Sequence, residues 1–540
     1  MYRFKENFFY PFCIIVLAAF YRLWYLAIIP SPCGDEASWA LYALSIYKGE
    51  SFVPIPGSEY ASKLFAILIS IFYRLSGVSF FAQRLLIAII GIITIYFTYL
   101  LAKRMYNEKV GFFSSLFMAI IPFHVMWSRV APSPYMIQIF TTTIGILLLF
   151  ISKTTQRKYL TLFFSFLFLS LGLQFSPIHI ITVICIIIYL ALTRQLVPLI
   201  KDKWVWVIII ICFIISFPII RYDICEGYLK IKEVGSGELP PINLSHFLSY
   251  FKILLGCITG ENEYLHFGGY TLNNKFLLLT INLLFLCWVI ASIIFAFYRK
   301  KDSDIFLLTN LCGGIIFLPI ILYGTIRLWY FPIIGQERYL FIFFPFICIL
   351  ISNFVVEFPR KKMVRFIING LFVFAVLFHI FSLNIRYFNL FLNNGGVDNG
   401  PVRVLDGRGY RGYITSRDMI PPQEQLAQII KTDKTSYPKA VITGDHTLYF
   451  PMRFYLPNTI SVIFVMDNLS LDNMKEQAIY IPIWDYNLLP EKSYYWPHIR
   501  INIDLIKLII NFPKDKVKHL KTIYKPDRTP LIHLYKIVLT

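Results

Sequence analysis

Charge is scarce in this 540-residue chain. Asp, Glu, Lys and Arg make up 15% of it against 57% hydrophobic residues. Soluble domains carry about 25% charged and roughly 45–50% apolar residues, so an ordinary soluble domain is excluded for most of the length. Acidic side chains are scarcer still, 31 against 51 Lys and Arg, which leaves a net charge of +20. The basic residues are spread between apolar runs rather than gathered on one face of a soluble module, which argues against nucleic acid as a partner. Cysteine is limited to nine residues, none after Cys348. Most lie inside apolar runs, where they act as small apolar side chains. Cys33, Cys225 and Cys257 fall outside those runs, and a Cys33–Cys225 bridge is left open. No Cys/His spacing resembles a zinc site, and no internal repeat is found.

What is abundant is apolar sequence in runs of spanning length, about 17–25 residues. The first continues from Lys5 to Ile29. It is too long for a signal-peptide core and has no small-residue cleavage site, so it is expected to be a retained anchor. Basic clusters punctuate the runs at Lys103-Arg104, Arg157-Lys158, Lys201 with Lys203, Arg299-Lys300-Lys301 and Arg360-Lys361-Lys362. The alternate connections carry almost no Lys or Arg, so the basic set is expected on the cytoplasmic side. Leu64 to Tyr73 is apolar but short. Counting it as a span would turn every basic loop outward, so it is expected to lie flat at the interface. The expected spans are then 8–29, 84–102, 110–127, 134–151, 159–175, 177–193, 204–221, 274–297, 305–325, 338–357 and 364–383. This is a polytopic α-helical membrane protein of about eleven transmembrane helices, N-terminus inside and C-terminus outside. The absence of an organellar targeting signal favours a plasma membrane.

After residue 383 the composition turns polar and Gly-rich. Short apolar runs at Ala440–Ile442, Ile460–Val465, Ala478–Ile483 and Leu531–Val538 alternate with helix-like stretches such as Gln423–Ile430. That pattern predicts a small extracytoplasmic α/β domain over 384–540, behind a membrane domain over 1–383. Trp484, Tyr494, Tyr495 and Trp496 suit either its core or a sugar platform, with core the more common use of such residues. His446 lacks a second ligand in view and is read as structural.

The chemistry-bearing residues gather at the outer boundary. Gly34-Asp35-Glu36 follows the first run and opens a helix expected from Asp35 to Lys48. Lys63, Arg129, Arg327, Glu337 and Arg338 lie at the same level. Carboxylates beside cations at a lipid-water boundary suit a phosphate-bearing lipid, with Arg able to grip the phosphate in two places. Each has a plainer use. Asp35 and Glu36 also suit a helix N-terminus, where the backbone dipole favours negative charge, and Lys63 and Arg129 suit interfacial anchors. Adjacent helix positions diverge, so at most one of the two carboxylates faces a given reacting atom.

Asp35-Glu36-Ala37-x-x-Ala40 resembles the Asp-Glu-Ala signature that follows the first span of GT-C glycosyltransferases. These comprise protein O-mannosyltransferases, the lipid A aminoarabinose transferase and the RgtA/B/C/D-like galacturonosyltransferases. Tyr60-Ala61-Ser62-Lys63, Gly77 with Arg84-Leu85, Pro122 with Ser128-Arg129, and Glu337-Arg338-Tyr339-Leu340 before Pro345 continue the resemblance in order. It implies a polyprenyl-phosphate sugar as donor and a hydroxyl on a lipid, glycan or protein as acceptor. It further implies Asp35 as catalytic carboxylate with Glu36 beside it, and Lys63, Arg338, Arg129 and Tyr339 at the donor phosphate. No cofactor is demanded; a divalent cation at Asp35 is left open. The chain departs from the family at Ser38-Trp39, at Leu64-Phe65 after the Lys, and over Val130–Tyr135, where relatives carry a second Asp. The rival reading is a transporter of lipid-linked glycan or polysaccharide, which would place ionisable residues or broken helices near the bilayer midplane.

Overall fold

Apolar runs in lipid must satisfy their backbone internally, so they fold as helices. The computed structural model describes residues 2–50, 63–132, 134–222, 253–272, 274–326, 336–358, 361–396, 416–443, 446–464, 477–485, 505–507 and 509–538. The membrane part begins with α1 (Tyr2–Leu23), α2 (Gly34–Lys48), α3 (Lys63–Ser76), α4 (Phe80–Met105), α5 (Glu108–Ile120) and α6 (Pro122–Trp127). It continues with α7 (Tyr135–Ser152), α8 (Lys158–Phe175), α9 (Ile180–Leu192), α10 (Leu196–Lys201) and α11 (Lys203–Tyr222). After α12 (Glu261–His266) come α13 (Lys275–Arg299), α14 (Asp302–Ile326), α15 (Phe344–Glu357) and α16 (Lys362–Asn394).

Each of the eleven expected spans falls on helix. Among the described residues, six helical runs are long and apolar enough to cross a membrane: α4, α7, α8, α13, Leu340–Glu357 and α16. Three boundaries differ from expectation. α1 stops at Leu23, and the rest of the first apolar run is a turn passing through Tyr25 at φ 51° and a cis Ile29–Pro30 bond. The run 110–127 is broken at Ile121, which is extended because Pro122 follows it. The last helix runs past residue 383 through a π-helical segment, Leu383–Asn389, to Asn394.

α2 and α3 form the expected pair after α1. α2 ends where Gly49, at φ 73°, takes the left-handed conformation that closes a helix, its N–H reaching the Ile46 carbonyl. α3 turns Phe65, Ala66, Ile69, Ser70 and Tyr73 inward and packs on α2 and α4. At the opposite end of the bundle a buried ion pair ties three connections together. Arg299 grips Asp304 through two bonds of 2.8 and 2.9 Å, Tyr106 donates to Asp304 at 2.6 Å, and Arg299 also reaches Asn353.

The C-terminal part is an α/β domain. It contains α17 (Pro422–Thr432), β1 (Lys439–Thr443), α18 (His446–Tyr455), β2 (Ser461–Phe464), β3 (Ala478–Trp484), β4 (Val517–Tyr524) and β5 (Pro530–Val538). The strand order is β2-β1-β3-β5-β4, with β1 parallel to β2 and β3, and β5 antiparallel to β3 and β4. β3 is buried along its whole length, as a central strand covered on both faces must be. Val441, Tyr480 and Trp484 face the layer holding α17 and α18, while Ile442, Ile479, Ile481 and Ile483 face the other side with Leu505. Trp484 is therefore a core residue; Tyr494, Tyr495 and Trp496 lie outside the described residues, as do Cys225 and Arg327.

Candidate active site

The site is organised by the turn between α1 and α2. Residues 24–33 leave the bundle without regular structure, so their carbonyls need donors, and in an apolar setting side chains must supply them. Arg129 donates to the carbonyls of Tyr21, Trp24 and Ile29 at 2.6–2.8 Å, its guanidinium lying 4.8 Å from the centre of the Phe388 ring. Arg84, near the start of α4, donates to the carbonyls of Leu26 and Pro30 at 3.0 and 2.7 Å. Its remaining nitrogens hold the Glu36 carboxylate in a two-point grip, both bonds 2.7 Å, with both side chains fully buried. The Ala131 N–H adds a third donor to Glu36, and Gln83 bridges the carbonyls of Glu36 and Ala131. Arg22 joins the same layer through the carbonyls of Ala18 and Ala119 and through His124.

The two adjacent carboxylates therefore have separate fates. Glu36 is sealed in, its oxygens occupied by Arg84 and Ala131. Asp35, one position earlier in the first turn of α2, is only partly buried, and among the described residues nothing bonds its carboxylate. The clamp at Glu36 fixes the turn that presents Asp35. Both positions and both arginines stand in the sequence motifs; that Glu36 pairs with Arg84, 48 residues away, is what sequence reasoning missed. The one available signal was that each motif carries an opposite charge at the edge of a span.

The four expected phosphate ligands are found in different settings. Lys63 is exposed at the first position of α3, the helix that packs beside α2. Arg129 is fully buried and bonded to three backbone carbonyls, so its guanidinium is a staple of the turn rather than an open phosphate site. Arg338 lies half-buried in a 3-10 helix, Gln336–Phe343, over the Tyr135 ring at 5.8 Å. Tyr339 shares that helix; its side chain lies outside the described residues. Tyr135 and His266 both pack on Trp127 of α6, with His266 stacked on it at 5.3 Å, which links the Arg338 neighbourhood to Arg129. Burial pushes the His266 imidazole down to about 3, with the Arg338 charge acting in the same direction, so it is neutral at physiological pH. Behind it Arg386 pairs with Glu261 at 2.5 Å. Among the described residues no group of three His, Cys, Asp or Glu side chains could hold a metal ion.

The geometry can be set beside known proteins. Residues 62–222 match the family described as dolichyl-phosphate-mannose-protein mannosyltransferase. The apo crystal structure of ArnT from Cupriavidus metallidurans superposes with a TM-score of 0.58 at 9% identity, covering 99% of this chain and 98% of that one. This chain has the GT-C glycosyltransferase fold. The undecaprenyl phosphate-bound structure of the same enzyme gives a TM-score of 0.54 at 13% identity, with 98% of each chain covered. The match extends through the α/β domain, so the fold of both the helical bundle and the C-terminal domain is shared. The resemblance carried by the five sequence motifs is thus borne out. A search of curated protein sequences finds no match.

Proposed function

We propose that this chain is an inverting glycosyltransferase that moves a sugar from a polyprenyl-phosphate carrier to an acceptor hydroxyl on the extracytoplasmic face of a plasma membrane. The observation that carries this reading is the division of labour at the start of α2, where Glu36 is locked by Arg84 while Asp35 is left without a partner among the described residues. A fixed, unoccupied carboxylate at the boundary suits a general base. Asp35 takes the proton of the acceptor hydroxyl as its oxygen bonds to the anomeric carbon. The bond from that carbon to the carrier phosphate oxygen breaks, and polyprenyl phosphate leaves. One displacement inverts the anomeric centre.

Electrostatics support an anionic leaving group. Arg22 and Arg129 are buried against carbonyls, which accept from their terminal nitrogens without cancelling their charge. Their potential favours a phosphate at this end of the bundle. Among the described residues, the exposed Lys63 and the half-buried Arg338 are the two assigned to touch it. Arg129 acts by holding the turn, and Glu36 by positioning α2. Since Glu36 is committed to Arg84 and residues 130–132 offer no carboxylate, the described residues do not make a divalent-cation site, and no step is assigned to one. The basic connections lie on the cytoplasmic side in this reading and the α/β domain outside.

The test is a panel of polyprenyl-phosphate sugars offered to the purified protein in lipid with an acceptor extract. Product of inverted anomeric configuration, with Lys63→Ala and Arg338→Ala each raising the donor KM, supports the proposal. Retention of configuration, or no transfer from any donor by folded protein, overturns it.

A further inference from the structure

We propose that the α/β domain positions the catalytic helix: Phe450, Phe454 and Tyr455 of α18 clamp Ala37 and Ala40 of α2 against Phe80, and so hold Asp35 for the transfer step. The inference rests on the reading of Asp35 as the base. Ala37 and Ala40 are three apart and share one face of α2, while Phe450 and Phe454, four apart, share one face of α18, and Tyr455 at its end packs on the same cluster. Ala37 and Ala40 are fully buried, and Phe80 is 4% exposed. Small side chains on α2 let the aromatic face of α18 approach closely. The Phe454 and Tyr455 rings lie 4.5 and 5.5 Å from the Phe80 ring, centre to centre.

The other sides of α2 are already held by the bundle. Trp39 packs on Phe65 of α3 at 5.0 Å, and Gln83 and Arg84 take the Glu36 backbone and side chain. Among the described residues, the face bearing Ala37 and Ala40 packs on Phe80 of the bundle and on the aromatic side chains of α18. Tyr455 also lies near the Glu36–Arg84 pair. Burial pushes its hydroxyl well above the ordinary value, with the Glu424 and Glu36 charges adding to that and the Arg84 charge opposing. Met419, from the segment before α17, also packs on the main bundle core. Asp35 lies within two residues of this seat, so loosening α18 frees the turn that aims the carboxylate. The aromatic residues of α18 are positioning residues and do not contact the reacting atoms.

The experiment compares wild type, Phe454→Ala and Phe454→Leu as full-length protein in lipid nanodiscs. Donor kinetics with a panel of polyprenyl-phosphate sugars are measured alongside backbone hydrogen exchange. For Phe454→Ala, kcat is expected to fall about 100-fold, since small displacements of a reacting group carry penalties of that size. The donor KM is expected to stay within about twofold, because the donor is bound elsewhere. Exchange should rise over 34–43 while α4 and α13 keep their protection, and Phe454→Leu should restore most of kcat. Unchanged kcat with unchanged exchange in α2 overturns the proposal, as does protection lost equally throughout the bundle. If Phe454→Ala does not fold, Phe454→Leu alone decides by the same two readouts. If wild type transfers from no donor, the transferase reading fails, while exchange over 34–43 still decides whether α18 holds α2.

Discussion

Replacing Glu36 by Gln keeps the shape of the side chain and removes its charge. Arg84 then loses one of its two 2.7 Å carboxylate bonds, because the new amide nitrogen is a donor facing a donor. The guanidinium keeps one bond to the amide oxygen and the carbonyls of Leu26 and Pro30, but no countercharge in a site that excludes water. Breaking one side of a fully buried ion pair costs about 3–5 kcal/mol, which is a factor of about 10²–10⁴ in the folding equilibrium. Asp35→Asn removes no bond to a described residue at a partly exposed position, so its effect on stability should stay within about 0.5 kcal/mol. Its effect on turnover should be large, about 10²–10⁴-fold, the range expected for loss of a general base. The assay is unfolding in lipid or detergent alongside turnover per folded molecule for both variants. If Glu36→Gln unfolds like wild type and its turnover per folded molecule drops as far as that of Asp35→Asn, Glu36 takes part in the reaction and the clamp argument is refuted.

The soluble domain should lose stability in acid through Asp433. Burial raises the carboxyl, but hydrogen bonds from Lys536 and Tyr480 and the nearby lysine charges outweigh it, so Asp433 titrates below its ordinary value. Its contribution is present above the unfolded pKa of about 3.9 and lost as pH falls through the lowered folded value; Asp433→Asn should flatten the acid limb of β3 and β5 amide protection. Arg299→Ala strands the buried Asp304 and should cost about 3–5 kcal/mol, with Arg299→Lys a poor rescue because the grip is two-pointed; thermal unfolding checks it. A Cβ at Gly91 would come within 2.7 Å of the Ser128 Cβ, next to Arg129. Gly91→Ala should therefore cost about 1–3 kcal/mol, read by chemical denaturation.

The helices and four of the five strands were legible because hydropathy reports burial. Every apolar run named after residue 430 became a strand. β4 was missed because it is an edge strand whose Lys518, His519 and Lys521 face solvent, which protects the edge and dilutes the apolar signal. The first span was read too long for a related reason: residues 24–29 are apolar yet form a turn, with only Leu26 and Ile29 buried, and hydropathy does not distinguish an apolar turn from a helix. The break at Ile121 was foreshadowed by Pro122. The site was legible in its residues but not in its pairings. Arg129 reads as a phosphate ligand from sequence because its acceptors are backbone carbonyls, which leave no mark in side-chain patterns. That at most one of the two carboxylates faces a given reacting atom followed from helix geometry; the resemblance pointed to Asp35, and the grip of Arg84 on Glu36 is consistent with that choice.

The central claim is that Asp35 activates the acceptor while the donor is bound elsewhere. It is tested most directly by single-turnover release of polyprenyl phosphate from wild type and Asp35→Asn, at matched occupancy of a donor that wild type uses. The account predicts acceptor-dependent release from wild type, release about 10²–10⁴-fold slower from Asp35→Asn, and equal donor binding by both. Release at the wild-type rate from Asp35→Asn would contradict it.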